Sequence, residues 1–472
     1  MEMLIAGQWV GAAKTLDVTN PYDNSVVDTV PRSTAEDADR AFAFAAEGAR
    51  KLRRVQGYER YGWLMKAADL MEERLEDLAR TITMEEGKPI GEARFEVSRA
   101  KETIIGSAEE AKRLGSEVVP LDGAPGTENR FGFTLRVPCG VVLAVTPFNF
   151  PLNLVCHKVG PAIAAGNAVV VKPATDTPLT ALKFAKLLLD AGCPPEAIQV
   201  ITGTGGEIGD ILVSDPRVRK ISFTGSKDIG ERICRTAGLK KVTMELGSNS
   251  PVIVMPDADL EKAATAIAAT GYANAGQVCI STQRVVADRK IYADLLDILK
   301  PKVEALTAGD PLQDGVKLGP MVKESEAKRV EEWVEQARAR GARVLTGGSR
   351  SGAAYAATLL ADVDKSMRIT CEELFGPAVG VTPAETIDEA IAIANDTNYG
   401  LSAAIFTESL DNAMRFARDV DSGNIHINWG AQWRADLMPY GGLKDSGFGK
   451  EGPKYAIEEM TETKMVVMHL RG

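Results

Sequence analysis

Apolar positions recur along this chain with two periods, and the switches between them divide it. Up to about residue 33, short apolar runs separated by turn residues such as Asn20-Pro-Tyr-Asp-Asn24 predict small strands. From Ser33 the period lengthens to that of a helix. Ser33-Thr-Ala-Glu36 reads as a capping box opening a helix to Leu52, and segments rich in Ala, Leu, Glu and Arg from Tyr58 to Glu85 and from Gly91 to Gly115 predict two or three more. The stretch from Glu117 to Pro138 is polar, contains glycine and has extended flanks, so it is expected to protrude as a hairpin or arm. From Gly140 to about Leu246, short apolar runs (Val141 to Val145, Ala168 to Val171, Ile198 to Ile201, Lys220 to Phe223, Lys241 to Glu245) alternate with helical segments. Nearly continuous apolar character is that of strands buried on both faces, and the alternation predicts an open parallel sheet covered by helices. It restarts at Ser250 with Val252 to Val254, a helix Leu260 to Ala275, Arg284 to Val286, a charged helix Lys323 to Gly341 and Val379 to Val381, predicting a second α/β domain to about Gly449. The final stretch, Ile457 to Gly472, reads as extended and is expected to pair with residues 118 to 135.

Length supports this division, because 472 residues exceed one hydrophobic core and suggest roughly two or three domains. Charge narrows the function. With 65 acidic against 55 basic residues the formal charge is −10, which argues against a nucleic-acid surface while leaving room for a local basic pocket. No apolar run reaches membrane-spanning length and the N-terminus lacks the pattern of a secretory signal. Six cysteines scattered singly suggest a reducing, cytoplasmic setting, and with only three histidines, far apart, no metal site is expected. No internal repeat is evident.

Four strand-end loops and one cysteine carry candidate chemistry. Thr146-Pro147-Phe148-Asn149-Phe-Pro151 follows a buried strand, where ligands of open α/β sheets bind. The Asn149 amide there can donate to a developing oxyanion or simply cap its own turn. Lys172 ends an apolar run before proline and can meet a ribose hydroxyl or phosphate, or lie solvated. Thr224-Gly225-Ser226 opens a helix whose free N–H groups suit a phosphate, although such turns also occur without ligands. Glu245 ends another strand, where desolvation raises a carboxylate pKa and suits it to general-base work; a surface acid is the alternative. Cys279 follows a small-residue stretch, Gly271-Tyr-Ala-Asn-Ala-Gly276-Gln-Val, whose glycine permits a bend that presents a thiol to a cleft. Buried cysteine acting as a small hydrophobe is the competing reading.

Taken together and in this order, Thr-Pro-Phe-Asn149, Lys172-Pro, Phe-Thr-Gly225-Ser226, Glu245-Leu-Gly, Gly276-Gln-Val-Cys279, Glu373-Leu-Phe-Gly-Pro377 and Pro439-Tyr-Gly-Gly-Leu-Lys-Asp-Ser-Gly447 resemble the NAD(P)-dependent aldehyde dehydrogenase superfamily. The resemblance runs from the first helices to the C-terminus. It implies a Rossmann-like cofactor domain (1–117 and 136–247), a catalytic domain (248–449) and a small β oligomerisation arm (118–135 and 455–472), assembled as a homodimer or homotetramer. It also implies Cys279 as nucleophile, Asn149 and the Cys279 N–H as oxyanion donors, and Glu245 as the base that activates the deacylating water. Thr146, Pro147, Phe148, Lys172, Ala174, Thr175, Gly205, Thr224, Gly225, Ser226, Ile229, Leu246, Gly247, Glu373 and Phe375 would contact the cofactor, with Lys172 and Glu373 on its two riboses.

Departures from the family pattern refine this. Where many NAD-preferring members place glutamate, this chain has Thr175, so like-charge repulsion of a 2′-phosphate is absent and NADP is expected to be accepted. Ser248-Asn249 replaces the more usual Gly-Lys, and Val278 stands where some members carry arginine. Asn149, Asn153, Gln432 and Arg434 would line the substrate site. Arg434 is placed like the anion-binding arginine of non-phosphorylating glyceraldehyde-3-phosphate dehydrogenases, and other motifs resemble lactaldehyde dehydrogenases. The substrate implied is a small hydroxylated or anionic aldehyde of the lactaldehyde, glyceraldehyde 3-phosphate, sulfolactaldehyde or succinate semialdehyde type, unless Arg434 sits in a surface salt bridge. Rival readings are a CoA-acylating dehydrogenase, in which the water-activating glutamate is generally lacking, and a non-enzymatic binding or structural protein on the same fold.

Overall fold

The computed structural model describes residues 1–471. Two open sheets carry the architecture. In the first, parallel strands Ile198–Val200, Ala168–Lys172, Val141–Val145, Val218–Thr224 and Lys241–Glu245 lie side by side in that order. The chain order therefore reverses between Val141–Val145 and Val218–Thr224, the switch point where strand carboxyl ends diverge into a crevice. Antiparallel strands finish the sheet on each side: the hairpin of Met3–Ile5 and Gln8–Val10 on one edge and Gly447–Phe448 on the other.

The second sheet runs Arg343–Thr346, Thr358–Ala361, Ala378–Ala384, Arg284–Asp288, Pro251–Val254, Ser402–Phe406 and Asn424–Ile427, parallel except for its first strand. The central strands of both sheets are buried on both faces, as their continuous apolar runs require. A three-stranded arm pairs Thr461–His469 with the whole of Arg130–Pro138, and Val118–Val119 with the latter.

Several local expectations shift. Thr34, not Ser33, caps the first long helix, Ala35–Leu52, with Asp37 completing the reciprocal box, while the Ser33 hydroxyl donates to the Thr202 carbonyl at 2.6 Å. The next helices are Gly57–Glu73, Leu75–Glu86 and Ile90–Ala111. The helix expected to reach Ala275 stops at Tyr272. The C-terminal stretch is not extended from Ile457: the helix Pro453–Glu459 precedes the arm strand, and Arg130–Pro138 runs past the expected arm boundary at 135. Gly472, the last residue of the expected arm, lies outside the described residues. Among the described residues, no helix is long and apolar enough to cross a membrane, and no group of three or more His, Cys, Asp or Glu side chains is arranged to hold a metal ion.

Candidate active site

Cys279 follows a kink built into the backbone. After the helix Leu260–Tyr272, Asn274, Ala275 and Gly276 take φ of 50°, 52° and 70°. The two non-glycine residues each cost about 1–2 kcal/mol in this left-handed region, so neighbours must hold them there. The Asn274 N–H donates to Glu92 at 2.9 Å, and its side-chain amide donates to Glu86 at 2.7 Å and to the Asn149 carbonyl at 3.1 Å. A side chain at Gly276 would collide with the Gly376 carbonyl, so the bend expected from the sequence requires glycine sterically as well as by φ.

The same buried group fixes Asn149. Lys88, fully enclosed, donates to Glu96 and to the Asn149 carbonyl at 2.7 Å, stands 3.4 Å from Glu86, and lies 4.0 Å over the Phe150 ring. The Asn149 side-chain amide donates to the Gln277 carbonyl at 2.8 Å, two residues before the cysteine, leaving its second N–H for a ligand. Burial opposes the Lys88 charge, and Glu86 and Glu96 outweigh it, so its pKa is raised. Burial pushes the Glu86 carboxyl up to about 8 and that of Glu92 up to about 7.

On the other side, Cys279 lines a cavity of about 180 Å³ with Arg99, Asn153, Gln432, Arg434 and Tyr440. The Tyr440 hydroxyl lies 3.2 Å from Cys279 Sγ, and the Arg434 guanidinium 3.9 Å from the centre of the Tyr440 ring. Arg434 is in a buried salt bridge, not a surface one: it donates to Glu451 at 3.2 Å and to His157 Nδ1 at 3.1 Å, while among the described residues its Nε has no partner. Lys158, in the helix Asn153–Ala165, donates to Glu451 at 2.7 Å and to the Thr224 hydroxyl at 2.7 Å. Asp436 ties Arg99 (2.8 Å), His157 Nε2 (2.9 Å) and the Asn153 amide (3.2 Å) together. These partners place the imidazole proton on Nε2, and burial pushes His157 down to about 4, so the ring is neutral.

Two carboxylates here part company. Burial and the nearby Glu451 charge drive the Glu245 carboxyl well above its ordinary range. Glu451 is equally buried, yet Lys158 and Arg434 hold it well below that range. Burial thus favours the neutral form of one carboxylate, while its ion pairs favour the charged form of the other. Neither Glu245 oxygen has a hydrogen-bond partner among the described residues. Burial pushes the Cys279 thiol up to about 12, with the Tyr440 hydroxyl acting against that shift.

The expected cofactor residues gather where the first sheet's parallel strands end. Lys172 is buried, its ammonium donating to its neighbour Pro173's carbonyl at 2.8 Å, and desolvation brings its pKa down to about 8. The Thr146 N–H donates to the Lys172 carbonyl at 3.2 Å, joining that loop to Pro147 and Phe148. Beyond Ala174, the Thr175 hydroxyl donates to the Gly203 carbonyl at 3.3 Å, and Gly205 opens the helix Gly205–Ser214. Ser226 caps the helix Lys227–Ala237 without its hydroxyl bonding the first turn, and Ile229 on that helix is 46% exposed. The Gly225 N–H donates to the Glu245 carbonyl at 3.1 Å and the Leu246 N–H to the Ser446 carbonyl at 3.0 Å. Gly247 is pressed so closely on the Glu373 carboxylate that a Cβ would not fit, and Glu373 accepts from the Ser248 N–H at 2.9 Å. Phe148 and Phe375 meet edge-on at 5.9 Å. The Thr224 hydroxyl accepts from Lys158 at 2.7 Å.

Tyr440, Lys158, Glu451, Arg99, His157 and Asp436 were not singled out from the sequence. Lys158 carried a readable signal, a lone cation between Leu154 and Ala165 in a mostly apolar helix. Arg99 and Asp436 carried none, because only folding brings them to one cavity.

The description "aldehyde dehydrogenase family" is that of the family model matching residues 9–466. The chain is 48% identical over 468 residues to a 3-sulfolactaldehyde dehydrogenase of Priestia aryabhattai, covering 99% of this chain and 98% of that protein. Among solved structures it resembles aldehyde dehydrogenase 21 from Physcomitrella patens in complex with the reaction product succinate (TM-score 0.96, 39% identity, 99% and 98% of the two chains). It also resembles the NADP-dependent glyceraldehyde-3-phosphate dehydrogenase from Bacillus halodurans C-125 complexed with NADP (TM-score 0.98, 36% identity, 100% and 99%).

Proposed function

The chain belongs to the aldehyde dehydrogenase family, and from that premise we propose that it oxidises a small aldehyde bearing an anionic tail to the carboxylic acid, using NAD(P). The observation that carries the proposal is one cavity of about 180 Å³ that holds the Cys279 thiol and two guanidinium groups, Arg99 and Arg434. That volume is small beside drug-sized pockets of roughly 300–1,000 Å³, which suits a substrate of a few carbons. Arg434 retains an unpartnered Nε, and its planar fork suits a carboxylate, phosphate or sulfonate. The named relative and neighbours act on or bind compounds of this kind.

The cofactor residues fit NAD(P): a buried, underused ammonium at Lys172, a helix start at Ser226 and a carboxylate at Glu373 behind a glycine that admits close approach. The bound nicotinamide supplies the hydride acceptor. Cys279 releases its thiol proton to water in the open cavity and adds as thiolate to the aldehyde carbon, and the resulting oxyanion is held by the free N–H of Asn149 and the Cys279 backbone N–H. Loss of hydride leaves an acyl thioester on Cys279. Glu245 then takes a proton from water, the hydroxide attacks the thioester, and the thiolate leaves as the acid forms. Glu245 must first ionise, and the nearby Lys158, Arg434 and Lys450 charges favour that form. Its presence favours hydrolysis over transfer to CoA.

Thr175 puts no carboxylate at the 2′ position, and the adjacent Asp176 lies 3.3 Å from Lys323, so NADP is accepted. Residues 1–117 and 136–247, which carry seven of the eight strands of the first sheet, hold the cofactor, residues 248–449 supply the cysteine, and the arm strands Arg130–Pro138 and Thr461–His469 join subunits of a homodimer or homotetramer by their exposed edges. Six free cysteines support a reducing, cytoplasmic setting. An aldehyde panel read by reduced-cofactor absorbance tests this function. Anionic three- and four-carbon aldehydes should exceed their uncharged analogues in kcat/KM by about tenfold or more, and Arg434→Ala should erase that preference. Equal rates for charged and uncharged aldehydes would refute the tail assignment.

A further inference from the structure

A second cavity, of about 530 Å³, opens far from the cysteine, and its lining holds four cations, Arg53, Arg60, Lys112 and Arg136, with no carboxylate. That is anomalous for a chain with formal charge −10. Arg94 and Arg74 are matched, to Glu76 at 2.7 Å and to Asp190 at 2.7 Å, whereas among the described residues Arg50, Arg54, Arg80 and Arg219 each stand singly without an ion pair, so what marks this cavity is the grouping of its cations rather than the lack of partners. Among the described residues Arg53, Arg60 and Arg136 have no ion pair. Arg136 donates to the Thr461 hydroxyl at 3.2 Å, and Lys112 donates to Glu109 at 3.4 Å and lies 3.5 Å over the Tyr61 ring, which leaves Arg53, Arg60 and Arg136 as the uncompensated cations. Arg60 is partly buried; among the described residues its Nε has no hydrogen-bond partner, and burial lowers its pKa.

Geometry adds to charge. Gly57 and Tyr58, in the first turn of the helix Gly57–Glu73, also line the cavity, and first-turn N–H groups have no carbonyl partner within their own helix. Substituting a side chain for Gly166 would bring its Cβ to 2.8 Å from Arg60 Nη1, so the guanidinium fills the space beside that glycine. Ala165, in the wall of this cavity, ends the helix Asn153–Ala165 whose first residue lines the catalytic cavity; at 1.5 Å per residue the two sites lie roughly 20 Å apart along it. The sites are therefore separate.

We propose that this cavity binds a small polyanion of the phosphate class. Guanidinium forks and first-turn amides match phosphate oxygens, a charge of two or more would neutralise the uncompensated cations, and the volume admits more than a single inorganic ion.

The test uses the full chain saturated with NADP, so that the nucleotide crevice is filled, and titrates it calorimetrically with inorganic pyrophosphate at fixed ionic strength. One saturable site per chain is expected, with affinity falling about tenfold or more in Arg60→Met and in Arg136→Gln, and unchanged in Arg94→Gln. Without pyrophosphate, Arg60→Met should melt no lower than the native chain, since it removes an uncompensated charge while keeping the apolar stem. If Arg60→Met does not fold, Arg53→Gln combined with Arg136→Gln, both at exposed positions, gives the same reading. Pyrophosphate binding no tighter than sulfate, or binding retained in the Arg60 and Arg136 variants, overturns the proposal. So does a change of oligomeric state in these variants with pyrophosphate affinity intact, which would make the cavity a contact between subunits.

Discussion

Two buried ionic groups flank the catalytic turn, and they are built oppositely. Behind it, Lys88 with Glu86, Glu92 and Glu96 directs its hydrogen bonds to backbone atoms of Asn149, Asn274 and Leu152, fixing geometry. In front, Glu245, Glu451, Arg434 and Lys158 leave both Glu245 oxygens and Arg434 Nε without partners among the described residues, and two carboxylates are driven in opposite directions from their ordinary range. Enclosure is equal on the two sides. What differs is how many polar atoms are left over. Behind, among the described residues, Glu86 Oε2 alone lacks a hydrogen-bond partner and it faces the Lys88 ammonium at 3.4 Å, whereas in front three atoms are left for something that arrives, and that is a sharper mark of chemistry than burial or charge count.

Substitution should separate the groups most widely at their centres. Glu245→Gln is expected to lower kcat by about 10³-fold with melting temperature nearly unchanged, and mass spectrometry of quenched turnover should find the acyl group on Cys279. Lys88→Met, behind, should do the reverse, costing about 3–5 kcal/mol of stability in denaturant titration by stranding its carboxylates. If Lys88→Met were stable and inactive, the contrast would collapse. Thr175→Glu should cut kcat/KM for NADP by about a hundredfold and leave that for NAD within a few-fold, by setting a carboxylate against the 2′-phosphate.

Smaller effects sharpen the picture. Tyr440→Phe removes the one hydroxyl near Sγ and should slow thiol alkylation by about tenfold at neutral pH, moving its pH profile to higher pH. Stability should also track the rear carboxylates. Glu86, with a pKa of about 8, and Glu92, with one of about 7, start from an ordinary value of 4.5, so the folded chain keeps protons that the unfolded chain releases. Their contribution is full below pH 4.5 and is lost as pH rises through 7 to 8. Melting temperature should fall over that range, and Glu86→Gln should flatten the fall; a rise with pH would contradict the assignment.

The legible parts of this molecule were those set by local pattern. Continuous apolar runs announced both parallel sheets, and strand-end loops announced Asn149, Lys172, Glu245 and the glycine before Cys279, because such signals lie within a few residues. The helix Pro453–Glu459 was obscured because a seven-residue helix offers few periods to read. Arg434 was read as an anion ligand or a surface salt bridge, whereas it lies in a buried network whose other members, His157 and Glu451, come from distant segments. The Lys88 group escaped for the same reason. Its members read as ordinary charged residues in and between two helices until the fold closes Phe150 and Asn274 over them.

The strand Gly447–Phe448 pairs with the edge of the first sheet at Met244 and Glu245, and it arrives more than two hundred residues after that edge. During synthesis the base's own strand therefore stays open on that side until more than two hundred further residues have been made. A truncated product ending before residue 447 would carry the thiol and the carboxylate and still lack the strand that covers the edge holding Glu245, so premature release should yield a dormant, association-prone polypeptide instead of a half-active one.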